Sequence, residues 1–113
     1  MIVDVILTDY STNFVDKVEG IRINNKDLFE YIDNEDGLCQ MKVLANGLDF
    51  IRKCKDHYLH LSLNKDSYAI IGTAEGEIKI DTKIVDFSIK NDILVMRYII
   101  DDVEREITII YRS

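Results

Sequence analysis

The chain has 113 residues, 47 % hydrophobic and 31 % charged, which is the profile of one globular domain spanning residues 1–113 and excludes a disordered tail. Acidic residues outnumber basic ones 21 to 14. The resulting net charge of −7 repels phosphate backbones and anionic lipid, so neither nucleic acid nor a membrane is an expected partner.

Eighteen isoleucines, eight valines and five threonines stand against three alanines. Branched β-carbons sit well on a pleated surface and poorly in a helical turn, so the expected elements are strands. No window approaches the ~20 apolar residues of a membrane span. The start, Met1-Ile2-Val3-Asp4, lacks the basic region of a signal peptide. The expected location is cytoplasmic, with Cys39 and Cys54 as free thiols. Much isoleucine, lysine and asparagine with little alanine points to an AT-rich bacterial genome.

Asparagine, aspartate and glycine punctuate the chain every 8 to 15 residues, the spacing of an all-β meander. In chain order the expected turns are Ser11-Thr12, Asn24-Asn25, Asp33 to Gly37, Asn46-Gly47, Lys55-Asp56, Asn64 to Ser67, Asn91-Asp92 and Asp101-Asp102. Asp27 to Ile32 reads either as a strand or as a short helix. Asp27 and Glu30 mimic a capping box, and Leu28 and Ile32 have helical spacing. The Asp33-Asn34-Glu35-Asp36-Gly37 run reads as a solvated acidic turn.

Asn46-Gly47 suits a two-residue hairpin, because both residues accept positive φ. That loop would set Cys39 opposite Cys54, Met41 opposite Arg52 and Val43 opposite Phe50. One face of the hairpin is then apolar except for Arg52, and the other is mostly polar. From Ile78 the apolar positions alternate through Ile80 and Ile84, then change phase to Val85, Phe87 and Ile89. This predicts a β-bulge near Ile84-Val85.

Two-residue loops at Asn91-Asp92 and Asp101-Asp102 align three strands. Phe87, Met96 and Ile107 form one inward row, and Ile89, Leu94 and Ile109 a second. Asp86, Arg97 and Glu106 form an outward row with the cation between two carboxylates. Ile84, Val95, Ile99 and Ile110 would add bulk to the outer face, as a dimer interface or under a cover of Ile2 to Leu7. The expected architecture is a small antiparallel up-and-down barrel of 8 to 10 strands, with a β-sandwich as the alternative.

The pattern resembles the YwiB-like proteins of low-GC Gram-positive bacteria, which are uncharacterised. Glu19-Gly20, Phe50-Ile51-Arg52, the run Gly76 to Lys83, Leu94 to Tyr98 and Ile107 to Tyr111 carry the resemblance. It implies a calycin-type, lipocalin-like barrel whose interior could hold a small apolar ligand. It implies no catalytic residue.

The residues themselves offer little chemistry. His57 and His60 are three apart on a strand and so point to opposite faces, which prevents joint chelation. No further soft ligand accompanies Cys39 and Cys54, and the acidic run lacks the spacing of an EF-hand. No serine has a nucleophile elbow around it, and Gly72 to Gly76 lacks the rest of a P-loop. No enzyme, metal or cofactor is therefore expected.

Arg52 is the residue that stands out. On an apolar face it would either sit at a barrel end, bonding a backbone carbonyl, or anchor the head group of an anionic ligand. Arg105, opposite Tyr98, has the same ambiguity. The expected binding residues are thus Arg52, Tyr98 and Arg105. The expected partner is a small apolar or amphipathic ligand, with protein binding or homodimerisation as the alternative.

Overall fold

The computed structural model describes residues 1–113. Ten strands run β1 (Ile2–Asp9), β2 (Phe14–Arg22), β3 (Leu28–Ile32), β4 (Leu38–Leu44), β5 (Gly47–Lys53), β6 (His57–Leu63), β7 (Tyr68–Thr73), β8 (Gly76–Lys90), β9 (Ile93–Ile100) and β10 (Val103–Arg112). All ladders are antiparallel, in the order β2-β1-β10-β9-β8-β7-β6-β5-β4-β3. The sheet curls into a nearly closed barrel. Its two edge strands, β2 and β3, are consecutive in sequence and flank the open seam. Across that seam Asn34 donates its side-chain amide to Asp16 Oδ1 at 2.9 Å and to the Lys17 carbonyl at 3.1 Å.

The C-terminal registers are those the two loops dictate. Phe87 pairs with Met96, Met96 with Ile107, Leu94 with Ile109, and Tyr98 with Arg105. Asn91, Asp92, Asp101 and Asp102 all have positive φ, 51° to 65°, as type I′ turns require. Asn and Asp reach this region at lower cost than other non-glycine residues. The bulge falls at Val85, where the β8–β9 register shifts between Ile84 and Asp86. The phase change has a topological meaning. Residues 76–81 of β8 pair with β7, and residues 82–90, save the bulged Val85, pair with β9. One bent strand thus joins the two halves of the sheet.

A second bulge lies in β2, where Gly20 (φ 73°) donates its N–H to Asp4 Oδ1 at 2.9 Å. Asp27 to Ile32 contains strand β3, which resolves the helix-or-strand alternative.

Two expectations about register and facing fail. The β4–β5 loop is Ala45-Asn46, so Cys39 faces Arg52, Met41 faces Phe50 and Val43 faces Leu48, and the cysteines are not opposite each other. Gly47 is not a turn residue. A Cβ there would lie 2.0 Å from the Leu63 carbonyl oxygen, so glycine is required for the close approach of β6. The slip of two residues leaves every side chain on its expected face, because strand periodicity is two. Ile84 is the second correction. It packs against the core opposite buried Tyr98, while bulged Val85 takes the exposed position.

The core is a single cluster of inward side chains, including Val3, Val5, Met41, Leu48, Phe50, Leu63, Leu94, Met96 and Ile109. No helix is long and apolar enough to cross a membrane.

Candidate functional site

Side-chain alternation brings a set of polar inward residues to one end of the barrel. These are Asp9 at the end of β1, Asp16 near the start of β2, Asp33 just after β3, Arg52 on β5, Tyr98 on β9 and Arg105 on β10. Together with Leu7, Phe50, Leu59, Leu61 and Ile107 they line a cavity of about 290 Å³ at the barrel mouth. All three residues singled out from the sequence, Arg52, Tyr98 and Arg105, line this one cavity.

Arg52 is held by a carboxylate, not by a backbone carbonyl. Its Nε donates to Asp33 Oδ2 at 2.5 Å, and its Nη2 lies 3.8 Å from Glu35 Oε2. Nη1 lies 2.9 Å from Cys54 Sγ. Gly37 makes room for the guanidinium, since a Cβ there would come within 2.6 Å of Nε. Asp33 is not a solvated turn residue, for it is 9 % exposed. Its Oδ1 accepts the N–H of Glu35 at 3.0 Å and of Gly37 at 2.8 Å, which folds the β3–β4 turn. Burial by itself would raise the Asp33 carboxyl. Arg52 and the two N–H donors outweigh burial and hold it at about 2.

The opposite wall repeats the arrangement. Arg105 Nε lies 3.5 Å from Asp9 Oδ2 at ion-pair distance, but is buried without a hydrogen bond. Asp9 folds the β1–β2 turn by accepting the Ser11 hydroxyl at 2.6 Å and the Ser11 N–H at 2.9 Å. The Ser11 hydroxyl contributes most to keeping the Asp9 carboxyl below its usual range. Each mouth arginine is therefore matched by an aspartate that also organises a turn.

Tyr98 stands beside Arg105 and is almost fully buried. Burial pushes its hydroxyl up to about 12, against the pull of the Arg105 cation. It is a neutral hydrogen-bonding group at physiological pH.

Five carboxylates line the cavity, from Asp9, Asp16, Asp33, Glu35 and Glu106, against two arginines. Glu106 is paired with Arg97, 3.3 Å away, which also pairs with Glu104 and makes no ion pair with its cross-strand neighbour Asp86.

Cys39 lies behind the Arg52–Asp33 pair, with Sγ 3.6 Å from Asp33 Oδ2. Burial, and next the Asp33 charge, push its thiol up to about 12, so it is a packed thiol and not a nucleophile. His57 is at the surface, with Nδ1 2.9 Å from Asp56. No group of three or more His, Cys, Asp or Glu residues is placed to hold a metal ion.

Asp9 and Asp33 are the site residues that sequence reasoning passes over. The signal for Asp33 is the Asp-x-x-x-Gly spacing to Gly37, which suits a side-chain-capped turn. Comparison with protein-family models, with curated proteins and with solved structures finds no match.

Proposed function

We propose that the barrel mouth binds a small, largely apolar ligand and performs no catalysis. One observation carries this reading: an apolar floor of leucines, Phe50 and Ile107 lies beneath converging polar groups, among them the buried, unbonded Nε of Arg105 and the neutral hydroxyl of Tyr98. Such a combination is the usual composition of a ligand pocket. The volume is at the small end of the ~300–1,000 Å³ typical of such sites, which suits a ligand of modest size. The neighbour-ordered barrel and the resemblance to calycin-type YwiB-like proteins support the same reading.

The charge balance refines the ligand class. Arg52 is neutralised by Asp33, so an anionic head group gains little there. The carboxylate surplus disfavours an anionic head group, and the unbonded Nε–H of Arg105 needs an acceptor, so a neutral, accepting head group fits best. At an effective dielectric of ~20, one unpaired charge ~8 Å away is worth about 2 kcal/mol, more than tenfold in affinity.

The test is native mass spectrometry of protein purified gently from its host, followed by titration with octylamine, octanol and octanoate. Carried-over mass that is lost on denaturation, or saturable binding with octanol ahead of octylamine and octanoate, supports the reading. Leu61→Trp, which fills the floor, should abolish that binding while the barrel stays folded. A bare polypeptide mass together with no binding of any of the three refutes it.

A further inference from the structure

β8 is the longest strand and the least covered. On the side away from β9, cover ends at Ser67, whose hydroxyl donates to the Thr82 carbonyl at 2.7 Å. Beyond it, no segment of the chain pairs with residues 83–90 on that side. Which backbone groups face the open edge follows from the Asn91-Asp92 turn. A two-residue turn makes Lys90 and Ile93 a hydrogen-bonded pair, and alternation extends this to Ser88–Val95 and Asp86–Arg97. Phe87 and Ile89 therefore direct their N–H and C=O groups outward. Ile89 is also 56 % exposed, although its row neighbours Leu94 and Ile109 are fully buried. An open edge with apolar side chains is a template for another strand.

We propose that Asp86–Lys90 pairs antiparallel with the same segment of a second copy, about a two-fold axis through Ser88. In this register Phe87 meets Ile89 of the second copy, and each such pair exchanges both outward backbone hydrogen bonds. Asp86 meets Lys90 of the second copy on the outer face, twice by symmetry. Polar, apolar and charged positions all match. A slip of two residues either way loses both Asp–Lys pairs and sets Asp86 or Lys90 against serine. The other open stretch of β8, residues 76–81, matches less well. Aligning Glu77 with Lys79 there sets Asp81 against Glu75. The segment is thus complementary to itself, which identifies the occupant as a second copy of this chain and the interface as isologous.

Sedimentation over a range of concentrations tests this. The wild type should pass from the 13.1 kDa of one chain to twice that mass. Ile89→Pro removes an outward N–H and leaves the β9 ladder in place, so the variant should stay monomeric. Asp86→Lys and Lys90→Asp each set like charges across the axis and should weaken the dimer at least tenfold. An equimolar mixture of the two variants restores both opposite-charge contacts and should recover it. If Ile89→Pro fails to fold, the charge-reversed pair still decides. A wild type that remains monomeric up to its solubility limit overturns the proposal. So does a dimer indifferent to these substitutions, or association only with a foreign protein.

Discussion

Replacing Asp33 by asparagine keeps the shape of the side chain and removes its charge. The Arg52 guanidinium, whose side chain is 20 % exposed, then loses its closest anion and keeps only Glu35 at 3.8 Å. Breaking a buried pair from one side costs roughly 3–5 kcal/mol, and the partial exposure of Arg52 puts this case near 3. The acid limb gives an independent magnitude. Asp33 titrates at about 2 in the folded chain against an ordinary value of 3.8. At about 1.4 kcal/mol per pH unit this contributes about 2 kcal/mol of stability. Because the folded value is the lower one, the contribution is complete above pH 4–5 and disappears as the pH falls towards 2. Urea unfolding at pH 7 and at points down to pH 2 measures both. Asp33→Asn should be destabilised by about 3 kcal/mol at pH 7. It should also lose about 2 kcal/mol less than the wild type on acidification. A loss below about 1 kcal/mol at pH 7, or an unchanged acid limb, would refute the view that this pair fastens the mouth.

Three further outcomes follow from the backbone. Gly47→Ala forces a Cβ to within 2.0 Å of the Leu63 carbonyl oxygen. It should cost more than about 3 kcal/mol or abolish soluble expression. Gly20→Ala, at positive φ but with open space around it, should cost only about 1 kcal/mol; equal costs in urea unfolding would show that the Gly47 contact is not as tight as described. Asp102→Gly relieves a left-handed φ of 61° in the β9–β10 turn. It should stabilise by about 0.5 kcal/mol, a rise of a few degrees in Tm by calorimetry. A fall in Tm would mean that the Asp102 side chain contributes more than its backbone strain costs.

Much of the barrel was legible because strand pairing obeys arithmetic. Asn91-Asp92 and Asp101-Asp102 tolerate left-handed backbone and lie between strongly alternating runs, so loop length and register followed together. The Ala45-Asn46 turn was not legible. Gly47 looks like a turn residue, and its real role is a contact with β6 that no local pattern reveals. The Ala74-Glu75 turn between β7 and β8 leaves no signal in the sequence, because neither residue is a turn former. At the site, the inward positions of Arg52, Tyr98 and Arg105 were readable from parity. Their counter-ions were not. Asp33 is 19 residues from Arg52, inside a run that resembles any polar loop. Asp9 meets Arg105 through the ladder between the first and last strands, the pairing most distant in sequence.

That ladder has a consequence for the order of assembly. β3 to β10 form a simple succession of hairpins, each strand meeting the one just made. β1 docks instead on β10 and carries β2 on its other side. The β1–β2 hairpin therefore cannot complete its pairing until β10 has been made, after the seven strands between. Ile2 pairs with Arg112, so the two chain ends lie side by side. Seen as a closed circle, the barrel is an unbroken meander opened in the middle of a sheet, while its seam falls at a covalent connection between Arg22 and Leu28. Joining the ends and cutting that connection would turn the slowest, longest-range contact into one more local hairpin.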